Sequence, residues 1–281
     1  MTTRIVVDST CDLPSKVIEE HRIAVIPMWL HAGGESYRDL VDLSRDAFYA
    51  RLPGWDPPPT TAVPGPEVFR AAYQQLASEG ATEILSIHIS PALSGVLNAA
   101  RLAAEATTEA SVTPVDSRQL SLGTGMVALR AAEAAQAGAS AKEVLAELEA
   151  YIPRVHTLAA LSTVEYLRRS GRISGFESNV AAFFRIKPLL KMHDGQYMSE
   201  KIRSHRRALQ RLIDLVDDLG PLDVLHLVHT HSPDAVADLR DKGGHLFPEQ
   251  KETWSVDVTP VLGTHLGPGA VGFVAVESGS E

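Results

Sequence analysis

Three short apolar runs constrain this chain more than any other feature. Each closes on a serine or threonine, and each is followed by a helix-forming stretch. They are IVVDST (Ile5 to Thr10), ILSIHIS (Ile84 to Ser90) and VTPVDS (Val112 to Ser117). After the first, Asp12 and Pro14 read as a helix start, with proline in the first turn. After the second, Ser94-Gly95 leads into an alanine- and leucine-rich helix to about Ala106. After the third, Gly123 opens a long alanine-rich helix to about Ala137, stopped by Gly138. Strands alternating with helices need crossover connections and therefore form a parallel sheet. Right-handed crossovers bring all three strand ends to one edge, and ligands of open parallel sheets bind outside that edge.

Between the first two units, RIAVIPMWL (Arg22 to Leu30) reads as one strand, with a turn at Gly33-Gly34. The consecutive prolines Pro57 to Pro59 impose an extended segment. A helix starting near Pro66 carries Val68, Phe69, Ala72 and Leu76 on one face. A helix from about Ser140 to Tyr151 ends at Pro153. At roughly 150 residues per domain, 281 residues make two domains, divided here as 1–152 and 153–281. The second contains the strand HTLAALS, a short helix in VEYLRRSGRIS, and a helix near Ser178 to Phe184. KPLLKMHDGQYMSEKI forms a hairpin turning at Asp194-Gly195. An amphipathic helix in SHRRALQRLIDLVDDLG and the buried strand LDVLHLVHTH follow, and Ser232-Pro233 opens another helix. The chain closes on a strand, the loop GTHLGPGAVG and a final apolar strand to Val276.

Charge narrows the function. Lys and Arg number 26 against 35 Asp and Glu, a net charge of −9, which argues against a dedicated binder of nucleic acid or anionic membrane. Cys11 is the one cysteine, so no internal disulfide forms and the chain fits a reducing compartment. Met-Thr-Thr-Arg leads straight into the first strand with no signal-sequence pattern, and no apolar run reaches the ~18 residues of a membrane span. These features predict a cytoplasmic protein without an integral membrane segment.

The strand ends carry Ser9 and Thr10, Ser90 and Ser94, and Ser117. At Ser94-Gly95 a loop becomes a helix, where a hydroxyl and backbone N–H groups can converge on an anion; plain N-capping is the simpler use of such a serine. Gly267-Pro268-Gly269 lets the backbone approach a neighbour closely or turn tightly, and His265 lies in the same loop. Arg168, Arg169 and Arg172 make a cation cluster suited to a helix end or to docking an anion. His226, His229 and His231 have no carboxylate or cysteine at ligand spacing, so structural roles outweigh a metal site. The P-loop, GxGxxG, G-x-S-x-G and HExxH patterns are absent, which favours a binding protein.

As an ordered series the motifs are far more specific. They run VVDSTCDLP (Val6 to Pro14), PTTAVPGPEVF (Pro59 to Phe69), SIHISPALSGVLNAA (Ser86 to Ala100), VDSRQLSLGTG (Val115 to Gly125), YLRRSGRIS (Tyr166 to Ser174) and GTHLGPGAVG (Gly263 to Gly272). The chain resembles, over essentially its whole length, the DegV family of bacterial fatty-acid-binding proteins. The resemblance implies an α/β fold of two α/β domains, the N-terminal one with a parallel sheet, and one long-chain fatty acid bound between them. It implies a lipid-presenting subunit without catalytic residues, cofactor or metal, whose partner fatty acid kinase converts the carboxyl group to an acyl phosphate. The family's carboxylate contacts fall on Thr61, Ser94 and His265, with Ser90, Gly95, Gly267 and Gly269 in the adjoining loops. The arginine implicated in kinase engagement falls on Arg172. The chain departs from the family at Ala62 and Val63, where Ser and Gln are favoured, at Val96 for Thr, and at Ser170 for Gly.

Such a site is chemically sound. A buried carboxylate is costly unless hydrogen-bonded, and two hydroxyls with one imidazole N–H satisfy it without a lysine. The expected picture is an oily slot closed at its inner end by neutral donors, with apolar lining drawn from Val180 to Phe184. Each buried methylene adds about 0.8 kcal/mol, so the tail sets occupancy and the head group sets orientation. The competing reading is a stand-alone acyl hydrolase using Ser94 and His265. It lacks an evident orienting carboxylate and a nucleophile elbow. A transcriptional regulator finds no DNA-binding module to support it.

Overall fold

A computed structural model describes residues 2–172, 187–248 and 252–279. The expected helix near 178–184, and the lining residues assigned to it, lie outside the described residues.

The first half follows the strand–helix pattern. Strand β1 (Thr3–Asp8) runs into a 3-10 turn (Ser9–Cys11) and helix α1 (Ser15–Glu20). Asp12 does not start that helix. It sits at φ 53° as the turn ends and is buried, and Pro14 precedes the first helical residue. Then come β2 (Ala24–Ile26), β3 (Trp29–Ala32), β4 (Glu35–Arg38), α2 (Arg45–Arg51) and β5 (Thr60–Ala62). The single strand expected over Arg22 to Leu30 is therefore two, belonging to different sheets. Pro27 lies between them and has no N–H to continue a ladder. Helix α3 (Pro66–Ser78), β6 (Glu83–His88), α4 (Val96–Glu105), β7 (Ser111–Asp116), α5 (Leu122–Gln136) and α6 (Ala141–Tyr151) complete this half. Helix α6 opens with a reciprocal capping box between Ser140 and Glu143.

The second half runs β8 (Val155–Ala160), α7 (Glu165–Arg169), β9 (Lys187–His193), β10 (Gln196–Ile202), α8 (His205–Asp217), β11 (Leu222–His229), α9 (Pro233–Lys242), β12 (Ser255–Asp257), α10 (Pro260–Leu266) and β13 (Val271–Glu277). Asp194 and Gly195 both take positive φ, which a two-residue hairpin turn matched to strand twist requires. One expectation fails in this half. Gly263 to Leu266 is the end of α10, so His265 stands on a helix and not in a loop. Pro260 at the first helical position and Gly267 just beyond the last were the signals for that helix.

Three sheets result. The first is wholly parallel in the order β2-β1-β6-β7, with its carboxyl ends on one edge as the crossover argument requires. A small antiparallel sheet has the order β4-β3-β5, and a six-stranded mixed sheet has the order β10-β9-β8-β13-β11-β12. The largest apolar cluster runs through residue 152: Val155, Val228, Val274 and Val276 share it with Ile5, Leu122 and Val127. Helix α5 is the centre of this seam. It packs against the Ser9–Cys11 turn and β1 on one side and β8 and β13 on the other.

That packing depends on a small residue. A Cβ added at Gly125 would stand 2.5 Å from the Cys11 carbonyl oxygen and 2.9 Å from Leu13 Cγ. Gly125→Ala is expected to cost about 1–3 kcal/mol, because α5 must retreat from the edge that carries the site. Urea unfolding measures it, and an unchanged midpoint would mean that the contact is not tight.

Candidate functional site

The carboxyl edge of the parallel sheet faces a cavity of about 400 Å³ between the two halves. Its size falls within the ~300–1,000 Å³ of small-molecule sites. The first half contributes Thr10, Thr61, Ile89, Leu93, Ser94 and Gly95, and the second contributes Leu167, Arg172, Leu190, Tyr197, Val261 and His265, among others. A second, apolar-lined space of about 40 Å³ shares Leu120, Leu190, Tyr197 and Leu266 with it and is also lined by Met192, Val228, Val258 and Val271. Apolar side chains thus separate the cavity from a smaller apolar space beside it.

The rim holds the residues expected to meet a carboxylate. Thr61 lies on β5 opposite Leu30 of β3. Its Oγ1 is 3.0 Å from His265 Nε2 on α10, a contact between residues 204 apart in sequence. His265 Nδ1 is buried with no partner. Burial, aided by the Arg172 charge, holds the imidazole down at about 4, so it is neutral at pH 7. Either tautomer then leaves one proton unused. If Nε2 carries it, the Thr61 hydroxyl hydrogen is spare; if Nδ1 carries it, that N–H is spare.

Ser94 caps no helix; Gly95 occupies the cap position of α4, with no side-chain hydrogen bond there. This removes plain capping as the reason for the serine. Ser90 does not line the cavity but builds the turn beneath Ser94. Its N–H donates to Gln119 O, its Oγ accepts from the Ala92 amide, and its carbonyl accepts from the Leu93 and Ser94 amides. Gly267 and Gly269 also stand off the cavity. A Cβ on Gly267, at φ 72°, would run into the Tyr166 ring of α7, and Gly269 O accepts from Ser162 Oγ at 2.6 Å. The close backbone approach anticipated there is made to the chain itself, and it seats α10 against α7.

Two features differ from the sequence picture. The donors stand at the exposed rim and not at the inner end, for Gly95 and Arg172 are solvent-exposed and Thr61, Ser94 and His265 half-buried. Nor is the donor set wholly neutral, since the Arg172 guanidinium lines the same cavity. Of the other strand ends, Thr10 reaches the cavity, whereas Ser117 is buried against Thr124. Sequence reasoning missed Tyr197, which walls both spaces from β10; the alternation of that strand was its only signal.

A hydrogen-bonded acidic network lies behind the rim. His88 Nδ1 is 3.0 Å from Asp8, which also accepts from the Thr10 hydroxyl. Burial works to raise Asp8, but His88 and Thr10 prevail and hold it below the usual carboxylate range. Asp39 accepts from Ser9 Oγ at 2.6 Å, and Asp12 accepts from Ser121 Oγ at 2.6 Å and from the Thr259 amide at 2.8 Å. The fold also brings carboxylates to the histidines, which sequence spacing did not reveal. Asp257 Oδ1 accepts from the His231 amide, and its Oδ2 is 3.2 Å from His231 Nδ1, with Asp46 Oδ1 3.9 Å from that ring nitrogen. These groups are engaged with one another and tie β12 and α2 to the end of β11.

Burial lifts the Asp12 carboxyl to about 6, against Arg45, Ser121 and the Thr259 amide. Burial likewise lifts Asp39 to about 7, with Ser9 opposing and the Asp12 charge adding. A raised carboxyl holds its proton more tightly folded than unfolded, so its contribution is lost as pH climbs from the ordinary carboxylate range to 7. Asp39→Asn does not titrate. It is expected to gain stability relative to the parent between about pH 5 and about pH 8, read by chemical denaturation. A difference independent of pH would contradict a raised Asp39.

Comparison with known proteins identifies the family and the fold. A model of the DegV family, described as an uncharacterised protein, matches residues 2–278. A DegV domain-containing protein of Mycobacterium tuberculosis is 34% identical over 286 residues, covering 100% of this chain and 99% of its own. One from Streptomyces coelicolor is 32% identical over 274 residues, 96% of each chain. Among solved structures, a fatty-acid-binding DegV family protein from Thermus thermophilus superposes with a TM-score of 0.88 at 32% identity, over 99% of this chain and 100% of that one. DegV of Bacillus subtilis, a fatty acid binding protein, gives 0.88 at 27%, with the same coverage.

Proposed function

This chain belongs to the DegV family, and from that premise we propose that it binds one long-chain fatty acid between its halves and presents the carboxylate to a partner fatty acid kinase. The observation that carries the reading is a cavity of about 400 Å³ whose rim holds Thr61, Ser94 and His265 and whose wall is largely apolar, with a smaller apolar space beside it. The tail enters between Leu120, Leu190, Tyr197 and Leu266, and the carboxylate rests on Thr61, Ser94 and His265. Residues 1–152 and 153–281 act as the two jaws, and the site works in the cytoplasm, where Cys11 remains a thiol. No metal or cofactor enters the scheme.

Partly buried donors at the rim suit presentation better than storage. A carboxylate held by hydroxyls and a neutral imidazole keeps its nucleophilicity and remains open on one side. One of its oxygens attacks the γ-phosphorus of ATP on the kinase, ADP leaves, and an acyl phosphate forms. Arg172, exposed beside the head group, faces the kinase and the incoming phosphoryl charge.

The hydrolase alternative has less support. Ser94 and His265 share the cavity, but among the described residues no carboxylate orients the imidazole. Its Nε2 is turned to Thr61, and a basicity near 4 makes it a poor general base for a serine.

Native mass spectrometry of gently purified protein is expected to find the added mass of one acyl chain. Hydrogen bonds to a charged group contribute about 1.5–3 kcal/mol, so Thr61→Ala and Ser94→Ala are each expected to weaken palmitate binding at least about tenfold. Protein that neither carries nor takes up fatty acid overturns the reading. With a fatty acid kinase and ATP, hydroxylamine trapping is expected to yield the acyl hydroxamate. Binding without that product would remove presentation and leave a carrier.

A further inference from the structure

The segment VVDSTCDLP opens the motif series, yet a head group held by Thr61, Ser94 and His265 makes no use of its second aspartate. Asp12 is 1% exposed and lies at φ 53°, in the left-handed region that aspartate adopts more readily than most non-glycine residues. Its carboxylate meets three other segments. It accepts from Ser121 Oγ at 2.6 Å, just before α5, and from the Thr259 amide at 2.8 Å, just before α10. Arg45 Nη2 of α2 stands 3.7 Å away. A buried ionisable group with so many partners has a reason to be kept.

The bond to Thr259 matters most. Thr259 precedes Pro260, the first residue of α10, and His265 stands six residues on, about 9 Å along the helix axis. A helix moves as a rigid rod, so its starting point determines where His265 points. The partner is exacting: Thr61 Oγ1 lies 3.0 Å from His265 Nε2, and Thr61 belongs to the other half of the chain. Other ties hold the same entry to α10. The Val258 carbonyl accepts from the Tyr49 hydroxyl at 3.0 Å, and the Val258 amide donates to His229 O at 2.8 Å. Asp12 is the tie that runs directly from the carboxyl edge of the parallel sheet.

We infer that Asp12 is a positioning residue for the lipid head group, setting α10 so that His265 meets Thr61 at the rim. This rests on the proposed fatty-acid site. It assigns the aspartate no contact with lipid.

Two probes separate positioning from general support of the fold. Palmitate has the carboxylate; hexadecanol has the same chain length without it. Asp12→Ala is expected to lower palmitate affinity about tenfold and hexadecanol affinity less than about twofold, the loss of one charged hydrogen bond at the head group. Asp12→Asn is expected to restore the parent preference, because its amide oxygen accepts from Thr259 and its NH₂ donates to Ser121 Oγ. Ser121→Ala removes one anchor of the carboxylate and is expected to lower the preference for palmitate by a smaller factor. It serves as the deciding variant if Asp12→Ala does not fold, as judged by circular dichroism. Equal losses for both probes, or no loss in a folded variant, overturn the inference. A parent protein that binds palmitate no better than hexadecanol would instead overturn the head-group site itself.

Discussion

Burial of α5 on both sides is the constraint from which the rest follows. A helix on an open parallel sheet usually buries one face, but ten of the residues of α5, from Leu122 to Ala132, are buried. One side lies on β1 and the Ser9–Cys11 turn and the other on β8 and β13, so the two halves share a core across residue 152. Small residues permit the approach, Gly125 at the Cys11 carbonyl above all. With the halves joined in this way, β5 and α10 come within hydrogen-bond reach, and the space left between them is the cavity.

Charge is sorted by depth around that space. The ionisable residues Asp8, Asp12 and Asp39 are buried behind the sheet edge and matched to hydroxyls, amides and His88. Toward the cavity the chain presents hydroxyls, a neutral imidazole and apolar side chains, with the Arg172 cation at the exposed rim. The buried acids hold backbone and helix ends in place, where a bound anion would not meet them directly. The hydroxyls and the imidazole that face the ligand space are neutral, and the one cation beside them, Arg172, is exposed to solvent.

Regular alternation was readable and its exceptions were not. The βα units and the Asp194-Gly195 hairpin each follow from a local preference satisfied within a few residues. Pro27 divided a run that looked continuous, because a missing N–H matters only once neighbouring strands are assigned to different sheets. The stretch Gly263 to Leu266 looked like a loop because its glycine outweighed Pro260, which starts α10. His231 lacked a carboxylate in sequence and has Asp257 and Asp46 in space, brought from β12 and α2. Asp12 looked like a helix start and is a buried tie to a residue 247 positions away.

The amino-acid sequence by itself determined the parallel sheet, the edge that borders the cavity and, through its motif series, the family, because strand–helix alternation and short motifs are local properties of the chain. Tertiary structure alone decided that Thr61 meets His265, that the donors lie at the rim, and that Asp12 accepts from the amide just before α10. Those outcomes depend on distances between segments hundreds of residues apart, which the packing of α5 against both sheets and the ties at the start of α10 set together.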